Sequence, residues 1–199
     1  AITQEEGAVR VRYQLQDDEA SRVLWPHAFV ATMEFLLGKD LQLEFSVRNT
    51  GDTALTFSFA LHSYFPVRDI RQCRVTGLEE TGFIDQLQDN ARCPAEQQPI
   101  RFERETDRIY TGASGRYDIH DEATGRRIHI TAPDCRSAIV WNPWQDKTAR
   151  LADMAPEAWE GMVCVECGNV GPDEVRLEPG EIRRFRLHLE QSFHTLTGN

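Results

Sequence analysis

The 199-residue chain contains no apolar run near the ~20 residues that a membrane-spanning helix needs. Its first residues carry neither the basic nor the apolar region of a signal peptide. Positive charge is scarce: 22 Lys and Arg against 32 Asp and Glu leave a net −10. That deficit argues against nucleic acid or an anionic membrane as a partner. It leaves room for a small anion, which a local arginine cluster holds whatever the global charge. Cysteine is odd in number and scattered, with Cys73, Cys93, Cys135, Cys164 and Cys167, and this fits reduced thiols and a cytoplasmic location better than a disulfide framework. Cys164 and Cys167 form a C-x-x-C in the strand-like run Met162–Cys167. Residues three apart on a strand point to opposite faces, so the pair neither chelates one metal nor bridges without a sharp bend. No second C-x-x-C completes a zinc site, and no serine-nucleophile motif, glycine-rich phosphate loop or H-E-x-x-H spacing is present.

What remains is strand. Ala8–Gln16 alternates Val9, Val11, Tyr13 and Leu15 with Arg10, Arg12, Gln14 and Gln16, the pattern of a half-exposed strand. Asp17-Asp18-Glu19 reads as a turn. Ala28–Leu37 and Leu41–Asn49 follow, joined by Gly38-Lys39-Asp40. Asp85–Pro99, polar and rich in glutamine, reads as a long surface excursion, and Tyr117–Asp121 and Arg126–Thr131 flank a hairpin turn at Glu122–Gly125. Ser137–Trp141, Met162–Cys167, Val175–Leu177 and Ile182–Glu190 complete the set, and the stretch from Lys147 to Trp159 holds the only plausible helices. A dozen strands with hairpin turns and no internal repeat or linker predict one all-β domain over residues 1–199, an antiparallel sandwich, and a monomer.

Two residues stand out as chemistry. Thr56–Phe65 reads as one strand with Phe57, Phe59, Leu61, Ser63 and Phe65 on a core face and Thr56, Ser58, Ala60, His62 and Tyr64 on the other. Small residues leading to His62 leave open room beside its imidazole, as a bound ligand needs; a solvated structural histidine is the plainer alternative. Glu166 lies between Val165 and Cys167, an apolar setting for a carboxylate. It is either a member of a structural ion pair or a base tuned by its surroundings. His120 and His129 lie on the two arms of one hairpin and give only a weak metal signal. An imidazole and a carboxylate on two strands suit any proton-shuttling reaction.

Residues Ala60-Leu61-His62-Ser63-Tyr64-Phe65-Pro66-Val67-Arg68-Asp69-Ile70 resemble a segment of the hexose-6-phosphate mutarotases (glucose-6-phosphate 1-epimerases) of the aldose 1-epimerase superfamily. Leu24–Phe29, Glu105–Tyr110, Val140–Trp144, Ala152–Met154, Val163–Glu166 and Leu177–Glu181 resemble further motifs in the same order. The resemblance implies an antiparallel β-supersandwich of the galactose mutarotase type. It implies His62 and Glu166 as catalytic acid and base, Asp107 as a substrate-binding residue, a sugar phosphate as substrate, and no metal or organic cofactor. The family also carries an N-terminal portion, with arginines for the phosphate, ahead of the Trp25-Pro26 segment. Almost nothing stands there in this chain, so the sandwich is expected to be incomplete on its N-terminal side. Arg68 and Arg108 are substitutes on motif grounds, set against the plainer reading of each as a surface or ion-pair residue. A sugar-binding sandwich without turnover, or an inactive fragment, is the alternative. Retention of both His62 and Glu166 favours the enzyme, since binding alone requires neither an acid nor a base.

Overall fold

The computed structural model describes residues 1–194. Alternating apolar and polar residues over short spans, punctuated by turns, produce eighteen strands among the described residues. The first four are β1 (Ile2–Glu5), β2 (Ala8–Gln16), β3 (Phe29–Leu37) and β4 (Leu41–Asn49). Next come β5 (Leu55–Phe57), β6 (Phe59–Leu61), β7 (Tyr64–Pro66), β8 (Cys73–Thr76), β9 (Phe83–Asp85), β10 (Ala91–Cys93) and β11 (Ile100–Arg101). The remainder are β12 (Thr106–Thr111), β13 (Arg116–Asp121), β14 (Arg126–Thr131), β15 (Ser137–Asn142), β16 (Met162–Asn169), β17 (Val175–Leu177) and β18 (Ile182–Phe193). Nine strands form one sheet in the order β1-β2-β3-β4-β18-β14-β13-β8-β11. A second sheet runs β10-β9-β12-β15-β16, with both β6 and β7 on the outer side of β16, and β5 pairs with β17. All pairings are antiparallel. The fold is the expected all-β sandwich. Its core takes Val47, Phe185 and Ile130 from the first sheet and Tyr110, Val140, Val163 and Val165 from the second.

Three local expectations are corrected. Asp17-Asp18-Glu19 is more than a turn: it opens a helix, α1 (Glu19–Leu24), because Asp18 accepts from Ser21 N–H while the Ser21 hydroxyl accepts from Asp18 N–H. A helix therefore exists outside the Lys147–Trp159 stretch, and the second, α2 (Trp144–Thr148), starts three residues ahead of that stretch and reaches only its first two residues. The Asp85–Pro99 excursion is partly ordered, since β9 and β10 form a hairpin whose turn is made possible by Asp89 and Asn90 in the left-handed region, at φ 50° and 58°. Thr56–Phe65 is three short strands. Its faces are as expected, but Phe57 pairs on β17 whereas Phe59 and Leu61 pair on β16.

One buried residue locks the strands that carry the site. Asn142, wholly buried at the end of β15, donates both amide hydrogens to the carbonyls of Trp159 and Met162 at 2.9 Å each. Its Oδ1 accepts the N–H of Trp144 at 2.9 Å, and this holds Trp144 at φ 55° as the chain turns out of the strand. The end of β15 is thereby tied to the start of β16. Asn142→Ala leaves buried carbonyls unpaired and is expected to cost about 2–4 kcal/mol in urea unfolding with the m value unchanged. A loss below about 1 kcal/mol would contradict this role.

Candidate active site

The register of β16 carries the site. It pairs Cys167 with Leu61 and Cys164 with Tyr64, so the same register runs across the gap between β6 and β7 and sets His62 opposite Glu166. Directly opposed residues of an antiparallel pair share a face. In the gap the chain makes a tight turn about His62, with Ser63 N–H donating to the Leu61 carbonyl at 2.8 Å. Close approach of β6 depends on Gly168: a Cβ there would lie 2.2 Å from the Phe59 carbonyl oxygen. The ladder continues inward, pairing Glu166 with Ile139 and Ile139 with Ile109, and in the adjoining row Cys164 with Trp141 and Trp141 with Asp107. Two rows of side chains thus cross the outer face of the second sheet. One runs Ile109, Ile139, Glu166, His62; the other runs Asp107, Trp141, Cys164, Tyr64.

These rows line a cavity of about 290 Å³ that brings His62, Asp107, Trp141 and Glu166 together over the isoleucines. All three residues singled out in the sequence meet here. His62 Nε2 lies 3.3 Å from Glu166 Oε1 and Nδ1 lies 3.7 Å from Cys164 Sγ. Tyr64 stacks on the imidazole at 4.7 Å with a 13° interplanar angle. The His62 side chain is about half exposed, Glu166 only 8%. Asp107 accepts a hydrogen bond from the Gln86 amide at 2.5 Å. Sequence reasoning did not find Gln86, Trp141 or Cys164 as parts of the site. Their signal was the strand register, which is invisible before the pairing is known.

Electrostatics separates Glu166 from the other acids. Burial against the isoleucine floor, reinforced by the charge of Asp107, pushes its carboxyl up from 4.5 to about 7. Asp107 is raised as well, first by burial. Asp118 and Glu122, by contrast, have guanidinium partners: burial alone would raise Asp118, but hydrogen bonds from Arg127 and His129 hold it low, and Arg101 and Arg74 hold Glu122 low. Neither Arg68 nor Arg108 lines the cavity. Arg108 lies over the Phe83 ring at 4.4 Å and pairs with Glu96 at 2.9 Å, the ion-pair alternative. His120 and His129 do not meet. His129 pairs with Asp118 at 2.5 Å and His120 contacts Thr76 Oγ1 at 3.1 Å.

His62, Cys164 and Glu166 each place one ligand atom within 4.8 Å of the others, as a cation would require. The two short contacts, however, use different ring nitrogens, and burial drives Cys164 away from the thiolate that a metal binds. The donor set fits a hydrogen-bonded relay better than a metal centre. Cys164 and Cys167 are free and lie on opposite faces of β16 as expected, Cys167 within the core cluster and Cys164 beside His62.

An antiparallel β-sandwich thus sets an imidazole and a carboxylate side by side in a small open cavity, an arrangement suited to proton transfer. Residues 1–190 match the family described as Aldose 1-epimerase, and the chain belongs to that family. It is 35% identical over 179 residues to "Putative glucose-6-phosphate 1-epimerase" of Cenchrus ciliaris, covering 88% of this chain and 54% of that protein. A relative of the same name from Salmonella typhimurium is 32% identical over 166 residues, 83% of this chain and 55% of its own. The crystal structure of a "putative mutarotase" from Salmonella typhimurium superposes with a TM-score of 0.88 at 26% identity, covering 98% of this chain and 64% of that one. The chain spans about half the length of these curated relatives. No helix among the described residues is long and apolar enough to cross a membrane.

A carboxyl raised from 4.5 to about 7 binds its proton more tightly in the folded than in the unfolded chain. The stability this contributes is fully present below about pH 4.5 and is lost as pH rises through about 7. Glu166→Gln removes that dependence. Wild-type stability relative to the variant is expected to fall by roughly 3 kcal/mol from pH 4.5 to 8 in urea unfolding. Parallel stability–pH curves would refute the raised carboxyl.

Proposed function

We propose that this chain interconverts the α and β anomers of an aldose, with a hexose 6-phosphate as substrate, by acid–base opening and reclosure of the ring. The observation that carries the reading is the 3.3 Å separation of His62 Nε2 and Glu166 Oε1. Both oxygens that must exchange protons, O1 and the ring oxygen, sit on the anomeric carbon, so an acid and a base are needed side by side. Ionised Glu166 takes the proton of the O1 hydroxyl. As the C1–O1 bond becomes a carbonyl, the bond from C1 to the ring oxygen breaks, and His62 as imidazolium protonates that oxygen. Rotation about C1–C2 turns the other carbonyl face to the ring hydroxyl, and the reverse proton transfers close the ring. Asp107, across the cavity, accepts a hydrogen bond from a sugar hydroxyl and raises the basicity of Glu166. Isolated by the isoleucine floor, Glu166 is poised near neutrality, where a general base is most effective.

The phosphate on the substrate is supported by the names of the relatives. Among the described residues no lysine or arginine lines the cavity, which is the observation behind the second reading, a sugar-binding sandwich without turnover.

Anomer exchange of glucose 6-phosphate and of glucose, followed by NMR magnetisation transfer, tests these readings. The expected result is exchange above the buffer rate, faster for glucose 6-phosphate, with a loss of about 10²–10⁴ in rate for His62→Gln and for Glu166→Gln. Equal rates for the two sugars would overturn the phosphate preference alone. Binding without exchange would favour the second reading. The rate is expected to rise through about pH 7 as Glu166 ionises, and Asp107→Asn, which removes a neighbouring negative charge, is expected to move that rise to lower pH. A rise left in place by Asp107→Asn would contradict the coupling.

A further inference from the structure

The acid–base reading uses Nε2 of His62 and leaves Nδ1 unexplained. In many acid–base and metal-binding histidines a carboxylate or a backbone carbonyl occupies this position, an acceptor that fixes the N–H there. Among the described residues the polar partner of Nδ1 is instead the sulfur of Cys164, at 3.7 Å. The Leu61 carbonyl already accepts from Ser63 N–H at 2.8 Å and from the Ser63 hydroxyl at 3.2 Å. Cys164 has no solvent exposure and sits one row from Glu166 on the same strand face. Burial and the charge of Glu166 keep it a thiol. A thiol is both a weak donor and a weak acceptor.

We propose that Cys164 is a positioning residue for His62: its thiol accepts from Nδ1–H when that nitrogen is protonated and donates S–H to it when it is not, so that Nε2 faces Glu166 and the cavity in every protonation state. Resting on the reading of His62 and Glu166 as the acid–base pair, this explains how one imidazole serves both directions. In the imidazolium, Nδ1–H points at sulfur and Nε2–H at the substrate. After transfer Nδ1 keeps its hydrogen, and Nε2 is bare and ready to accept. When the proton shared by the pair has been released, the carboxylate accepts from Nε2–H of the neutral imidazole and the thiol turns to donate to Nδ1. A carboxylate in place of Cys164 would add a negative charge and make the imidazolium reluctant to release its proton. The charged and titratable groups around the ring are Glu166 and Cys164 from β16, Tyr64 from β7 and Asp107 from β12. Asp153, in the segment after α2, acts on Tyr64.

The test is the infrared S–H stretching band that is present in the whole chain and absent from Cys164→Ser. It is expected to move to lower frequency between mildly acidic and alkaline pH as the thiol changes from acceptor to donor, and to stay fixed in His62→Gln. A band that does not move, or that moves equally in His62→Gln, overturns the proposal. In anomer exchange, Cys164→Val is expected to lose more than about tenfold in kcat with little change in KM, and Cys164→Ser, which keeps a donor–acceptor group, to lose several-fold less. Equal losses in the two variants overturn the proposal. A moving band in a chain without anomer exchange would sink the catalytic reading and leave the hydrogen-bond assignment standing.

Discussion

The antiparallel register between β16 and the broken strand beside it is the constraint on which the site depends. Slipping that register by one residue would turn His62 or Glu166 to the opposite face, because side chains alternate with a period of two. Three features hold it in place. Gly168 lets β6 approach where any side chain would strike the Phe59 carbonyl. The turn about His62 absorbs the interruption without losing a residue, so β7 resumes in step on Cys164. Asn142 ties the far side of β16 to β15, which carries Trp141 and Ile139 of the isoleucine floor. Interrupting the strand at His62 also frees the imidazole from the flat ladder and leaves half of it open to the cavity.

The electrostatic character of the site follows from what surrounds the two carboxylates. Elsewhere acids such as Glu34, Asp118 and Glu122 find an arginine, and exposed pairs of this kind contribute little to stability. Glu166 and Asp107 are set over apolar side chains, and the partners they have are an imidazole and an amide. A sandwich selected only for stability would have no use for a carboxyl held near neutrality at a cost that grows with pH. Local rules are broken where function requires it. The neutral thiol beneath His62 belongs to the same logic, since it satisfies a ring nitrogen without adding a third negative charge to a crowded cavity.

Much of this was legible before any coordinates. The alternation of Phe59 and Leu61 with Ala60 and His62 persists through the interruption because the register persists, so the faces were read correctly although the single strand was not. Glu166 between valine and cysteine was conspicuous because a carboxylate in such a run is uncommon. The sequence could not disclose that Ser58 and His62-Ser63 divide the strand, since a turn that keeps step leaves the period unchanged. The helix at Glu19–Leu24 was readable in principle from Asp18 and Ser21, and the β9–β10 hairpin from Asp89-Asn90. Both were outweighed by polar composition. Trp141, Gln86 and Cys164 lay beyond reach because each joins the site through pairings between strands distant in the chain.

The fold sets a carboxyl poised near neutrality, that of Glu166, beside His62. Its side-chain carboxyl carbon, observed by NMR in protein labelled at that position and assigned by its loss in Glu166→Gln, reports the ionisation of this one group. A midpoint near 7 that falls on Asp107→Asn is the predicted result. A midpoint at the ordinary 4.5, indifferent to Asp107, would mean that neither burial nor Asp107 tunes this carboxyl.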